Sequence, residues 1–199
     1  MTAGSASLTA GGSLDLTVTA YDANNNIATG YAGAKNLTFS GLANAPDGTV
    51  PTAEAVNFGS AVSVTFTNGA SNANAATLVA YKVESASVDV TDGTNNSTAN
   101  VNYDLDLTVN VAAANKLKYS VNPPLSVAAG TTWASFEVSI ADSYGNLRGS
   151  GIDTITIAEN GTGSFGGTTS KAAVSGAAAF DNITYPVAES INVTASATG

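Results

Sequence analysis

Cysteine and histidine are both missing from this 199-residue chain. Without cysteine there are no disulfides, thiolate metal sites or thiol nucleophiles, and without histidine there is no imidazole base, so conventional hydrolase triads are excluded. Charge is scarce as well. Charged residues make up 11% of the chain, with only six Lys and Arg against fifteen Asp and Glu. Residues 1–110 hold nine of the acids against Lys35 and Lys82. A phosphate backbone needs a basic stripe, so nucleic acid is excluded as a partner, and the acidity favours solubility and at most a divalent cation. No run approaches the roughly 18 apolar residues of a membrane span. Met1-Thr2-Ala3-Gly4 is not followed by the apolar core of a signal peptide, so we expect that a leader was removed or that the chain is a piece of something larger. The single tryptophan, Trp133, leaves a sugar-stacking platform without a second aromatic beside it.

What is present is a pattern made twice. Leu14-x-Leu16-x-Val18-x-Ala20-x-Asp22 with Asn24-Asn25-Asn26 recurs 120 residues further on as Ala134-x-Phe136-x-Val138-x-Ile140-x-Asp142 with Gly145-Asn146. Alternation of period two also marks Val62/Val64/Phe66, Leu105/Leu107/Val109, Leu117/Tyr119/Val121, Ile155/Ile157 and Ile191/Val193. No segment carries a helical stripe. Turn dipeptides such as Asp47-Gly48, Asn68-Gly69, Asp92-Gly93 and Gly166-Gly167 break the chain into short antiparallel strands. The expected fold is all-β: two tandem immunoglobulin-like antiparallel β-sandwiches, one over residues 1–111 and one over 112–199. The connector Ala112 to Asn115 is short, which limits bending between them. Domain 1 starts without the strand that opens domain 2 (Lys116 to Val121) and has an extra late strand over 101–111. The late strand is expected to close the exposed sheet edge, the alternative being a strand from another chain and self-association. Gly41 to Asn57 reads as an insertion that would alter the strand order of domain 1.

Lys116-Leu117-x-Tyr119, Ala129-Gly130, Asp142-x-x-Gly145-Asn146, Gly161-Thr162-Gly163-x-Phe165-x-Gly167 and Gly176-x-Ala178-x-Phe180 follow one another in an order that resembles the bacterial immunoglobulin-like tandem repeats of large cell-surface, adhesin-type and S-layer proteins. The resemblance covers residues 116–199 and, more loosely, 6–93. It implies an extracellular or cell-surface location, neighbouring repeat domains of a parent protein as partners, and no enzymatic activity. The expected function is that of a structural module, a spacer, stalk or lattice element. The alternative is an adhesive or carbohydrate-binding module that recognises a glycan or surface protein, with calcium assisting.

Oxygen-bearing side chains at alternate positions make Asp22, Asn24 and Asn26, and again Asp142 and Asn146, candidate calcium ligands, although Ile27 stands where a calcium loop of the EF-hand kind requires glycine. The same residues are the chemistry of a hairpin turn capped by an Asp, which is the plainer reading. Asp104 and Asp106 are a third calcium candidate. Their alternation puts both carboxylates on the face opposite Leu105 and Leu107, where a solvated strand face is the plainer reading. No other cofactor is expected.

Overall fold

The computed structural model describes residues 4–98 and 102–198. The chain is all-β, and among the described residues there is no helix, hence none long and apolar enough to cross a membrane. Two compact units are distinguished, Met1–Ala112 and Ala113–Gly199.

In the first unit the alternating residues become β1 (Gly4–Thr9), β2 (Ser13–Leu16), β3 (Gly33–Ser40), β4 (Thr52–Ala53), β5 (Val56–Asn57), β6 (Ala61–Thr67), β7 (Ala70–Ser71), β8 (Ala76–Val79), β9 (Glu84–Thr91) and β10 (Leu105–Asn110). They form two sheets, ordered β1-β10-β9-β3-β6-β7 and β2-β8-β4-β5. Strand β6 shows how: Val62, Val64 and Phe66 are buried while Ala61, Ser63, Thr65 and Thr67 are exposed, because successive side chains leave a strand on opposite faces. Asn68 and Gly69 have φ of 50° and 84° and join β6 to β7 by a two-residue turn. Positive φ at both central positions is what an Asn-Gly pair tolerates and most residues do not.

The insertion-like stretch contributes the small hairpin β4–β5, which lies along β8 with Ala53 opposite Leu78. The late strand behaves differently from expectation. Strand β10 pairs antiparallel with β9, Leu105 opposite Val88, and parallel with β1, Leu107 opposite Ala6; residue 101 lies outside the described residues. It therefore does not close the edge of β2, whose one strand neighbour among the described residues is β8. The reason is local: β10 follows β9 closely in sequence, so it pairs there, and Leu105, Leu107 and Val109 gain burial in the larger sheet.

The second unit contains β11 (Lys116–Val121), β12 (Phe136–Ala141), β13 (Thr154–Glu159), β14 (Ser170–Ala172), β15 (Ala177–Phe180) and β16 (Val193–Thr198), in sheets ordered β11-β12-β15 and β14-β13-β16. Phe136, Val138, Ile140 and Phe180 from the first sheet meet Ile155 and Ile157 from the second in one apolar cluster, an arrangement consistent with a β-sandwich. Trp133 packs edge-on to Phe165 with ring centroids 5.4 Å apart, so its indole covers the end of this cluster. A buried Tyr185 braces the same end: its hydroxyl accepts from the Gly163 N–H at 2.9 Å and donates to Glu189 Oε1 at 2.5 Å. Strand β11 keeps Lys116 and Lys118 outward, as the alternation with Leu117 and Tyr119 requires.

Candidate functional site

Three tyrosines that lie far apart in sequence meet at one end of the first unit. Tyr21 follows β2, Tyr31 precedes β3 and Tyr103 precedes β10, so the segments 20–32, 92–98 and 102–104 bring them together. Tyr21 and Tyr103 stack with centroids 5.4 Å apart and planes 12° from parallel, and the Tyr103 hydroxyl donates to the Asn25 side-chain oxygen. Tyr31 sits edge-on to Phe66 at 4.9 Å, with the Lys35 ammonium 4.6 Å from its centroid. These rings, with Asp92, Asn95 and Ser97, line a pocket of about 210 Å³. The sequence pattern does not flag this group, because each tyrosine is solitary in the chain; a tyrosine bordering two successive turn-rich loops is the signal it does contain.

The anchor is Asp92. Its Oδ2 accepts from the Tyr31 hydroxyl at 2.6 Å and the Asn95 side chain at 2.9 Å, and its Oδ1 accepts from the backbone N–H of Asn95 at 2.7 Å and of Thr94 at 2.9 Å. Partial burial alone would raise its pKa, but these four bonds outweigh it and hold the carboxyl well below the usual carboxylate range. Burial first, and then the same contact, push the Tyr31 hydroxyl up. A carboxyl with a depressed folded pKa contributes stability above its unfolded value and loses it as pH falls towards the folded one. The wild type therefore weakens as pH drops below about 4. Tyr31→Phe is expected to cost about 1 kcal/mol near neutrality and to flatten that acid limb, as read by urea melts at a series of pH values. An unchanged limb would show that Asn95 and Thr94 hold Asp92 by themselves.

Asp104 and Asp106 do not form a pair on a solvated face. Asp106 is exposed and accepts from the Ser87 hydroxyl at 2.9 Å. Asp104 is half-buried, with one carboxyl oxygen shut away from solvent. Burial first, then the adjacent Asp89 carboxylate, push its pKa up. Asp89 in turn accepts from the Ser97 hydroxyl at 3.1 Å. Alternation in the sequence places Asp104 on the face opposite Leu105 but cannot reveal that β9 supplies a second carboxylate beside it.

The two Asp-Asn turns are built alike. Asp22 Oδ1 accepts from the backbone of Asn24 at 2.8 Å and of Asn26 at 2.9 Å, and Asn26 Nδ2 reaches Oδ2 at 3.2 Å. Asp142 Oδ1 accepts from the backbone of Tyr144 at 3.0 Å and of Asn146 at 2.9 Å, and Asn146 Nδ2 reaches Oδ2 at 2.9 Å. The backbone closes each turn identically, from Asp22 to Asn26 at 2.8 Å and from Asp142 to Asn146 at 3.0 Å. The backbone N–H of Asn26, its side chain and the N–H of Asn24 hold the Asp22 pKa down. Both carboxylates thus face N–H donors, and both Asn side chains turn their NH₂ groups, which cannot ligate a cation, towards them. Asn24 contributes its backbone N–H to this turn. Among the described residues no three His, Cys, Asp or Glu side chains gather where they could hold a metal ion.

No family model and no curated protein matches the chain. Among solved structures it is similar to the β-glucuronidase of Parabacteroides merdae, at 14% identity over 84% of this chain and 20% of that one with a TM-score of 0.31, and to the same enzyme with glycerol in its active site, at 13% identity. It is also similar to β-glucuronidase 3 of Bacteroides uniformis, at 10% identity over 83% of this chain and 20% of that one, with a TM-score of 0.32. The chain spans about a fifth of the length of these enzymes. Superpositions at this level carry no argument about fold or activity.

Proposed function

We propose that the chain is a non-enzymatic structural segment of an exported bacterial surface protein: two immunoglobulin-like sandwiches in tandem, acting as spacer, stalk or lattice element. The observation that carries this reading is the turn made twice. Asp22, beyond β2, and Asp142, beyond β12, organise the same hydrogen bonds at corresponding places in the two units. Reuse of a scaffold element with different loops and different cores is what an array of repeats does. Mechanical load in such an array is carried by ladder hydrogen bonds and by the buried clusters behind them.

A second reading is favoured by the tyrosine-lined pocket, whose stacked rings, amides and carboxylate suit a small polar ligand such as a sugar. At about 210 Å³ it is smaller than the several hundred cubic ångströms usual for ligand sites, so the spacer reading ranks first. A glycan array, together with calorimetric titrations of calcium and of any glycan that scores, separates the two. The spacer reading expects no glycan tighter than about 1 mM and no calcium affinity better than about 0.1 mM. Micromolar glycan binding that is lost in Tyr21→Ala and Tyr103→Ala would make this an adhesive module.

A further inference from the structure

The stacked rings of Tyr21 and Tyr103 are held from both sides of one turn. Tyr21 bridges to Ile27 across the turn that Asp22 organises. Asn25 sits in that turn with φ of 64°, and its side-chain oxygen accepts from the Tyr103 hydroxyl. Tyr103 is fixed on its other side as well, because Leu105, two residues on, is buried and paired with Val88. Two phenols from distant parts of the chain are therefore preorganised as neighbours, with centroids 5.4 Å apart and planes 12° from parallel. Near-parallel rings at this spacing meet by a tilt about their own side-chain torsions.

Other tyrosines have neighbours of a different kind. Tyr31, Tyr119 and Tyr185 each lie against a phenylalanine, Phe66, Phe136 and Phe165. The Tyr31 and Tyr185 hydroxyls are further committed to Asp92 and Glu189. Tyr21 is 36% exposed and Tyr103 half-buried, so both lie within reach of an oxidant in solution. The usual sinks for oxidising equivalents are scarce, since the chain has no cysteine and its one methionine is Met1. Its one tryptophan, Trp133, belongs to the second unit.

We propose that Tyr21 and Tyr103 form an oxidative cross-linking site, at which a peroxide-driven one-electron oxidant joins the two rings as dityrosine and staples the segment after β2 to the segment before β10. Each phenol gives up one electron, and its hydroxyl proton goes to solvent. The unpaired electron of each ring then has density on the carbons beside the one that bears oxygen, and two such carbons, one from each ring, form the new C–C bond. Each of these carbons loses its hydrogen as a proton while the ring oxygen regains one, so both rings end as phenols. The net change is the loss of two hydrogen atoms, which one hydrogen peroxide takes up to become two waters. In a sandwich without cysteine this bond acts as a disulfide does elsewhere, restricting the unfolded chain by closing a long loop. The site stands on the stacked pair and is independent of the spacer reading.

The test is oxidation of the dilute chain by hydrogen peroxide and a haem peroxidase, followed by peptide mapping, with free tyrosine coupled in a parallel reaction to show that the oxidant is active. The expected result is dityrosine fluorescence in the monomer fraction and a linked pair of peptides, one holding Tyr21 and the other Tyr103, with a mass short by two hydrogens. Tyr21→Phe and Tyr103→Phe keep the ring stack and the circular dichroism spectrum, and each is expected to abolish that linked pair. Asn25→Gly keeps the left-handed backbone and both phenols but frees the Tyr103 hydroxyl, so it is expected to lower the yield about fivefold. In the cross-linked chain the unfolding equilibrium constant of the first unit is expected to fall about a hundredfold or more, with the Trp133 transition unmoved. Absence of the linked pair while free tyrosine couples, cross-linking only as covalent dimers at every dilution, or a yield indifferent to Asn25→Gly overturns the proposal. So does a linked chain whose first unit unfolds as easily as before, because the bond would then restrict nothing.

Discussion

Phe136→Ala is expected to remove about 3 to 5 kcal/mol from the second unit and to leave the first unit's unfolding transition in place. Phe136 is fully buried, stacks on Phe180 with centroids 5.4 Å apart, and lies 6.2 Å from Trp133 and 6.3 Å from Tyr119. Truncation removes a ring and leaves a hole that these flat neighbours cannot fill without leaving their rotamers. The measurement is direct, since Trp133 reports on the second unit alone while far-ultraviolet circular dichroism reports on both. Loss of the Trp133 transition at lower denaturant, with a second transition unmoved, is the expected outcome. One cooperative transition that shifts as a whole would refute independent cores.

The complementary perturbation is Gly41→Ala in the first unit, with an expected loss of about 2 to 4 kcal/mol. Gly41 follows β3 with φ of 101°, and a Cβ there would lie 2.0 Å from the Ser87 carbonyl oxygen and 3.4 Å from the Val88 Cα. Both obstacles are backbone of β9, in the middle of the six-stranded sheet, so relief requires moving a strand. Gly33→Ala is the control. Its φ is 80° but a Cβ there meets nothing within 4 Å, so it isolates the conformational cost, about 1 kcal/mol. If Gly41→Ala is no worse than Gly33→Ala in thermal melts, the close approach to β9 does not exist in solution. A Trp133 transition displaced by Gly41→Ala would again argue against separate cores.

Phe136 is legible as a core residue from the pattern of its own strand, and Gly41 is not. Phe136 belongs to an alternating run with Val138 and Ile140, and alternation is a local property that any sheet must convert into an inside and an outside. Gly41 stands at the start of a stretch that reads as an insertion, and its constraint comes from Ser87, 46 residues away. The turn residues divide in the same way. Asn68-Gly69 and Gly145 announce positive φ by their chemistry, whereas Glu54 and Ala55 adopt φ of 50° and 59° with nothing in their types to foretell it. The hairpin β4–β5 forces them, because β8 offers a pairing edge at that point. Nor does the sequence mark Tyr185 as a brace, since its contacts with Gly163 and Glu189 join separate loops that strand alternation does not bring together.

By itself the sequence determined an all-β chain, the alternating core faces, the position of most turns and the repetition of the Asp-Asn turn. Each of these depends on side-chain periodicity or on the φ preference of one or two residues, interactions that span a few positions. Tertiary structure alone decided which strand lies beside which. The choice of β9 and β1 as neighbours for β10, the edge that β2 leaves unpaired among the described residues, and the meeting of Tyr21, Tyr31 and Tyr103 all follow from pairings between distant segments. Backbone hydrogen bonds in a sheet are the same for every residue type, so a strand's pattern says which face it buries and not whose edge it joins. That choice is settled only when the apolar faces of all the strands compete for the same limited interior.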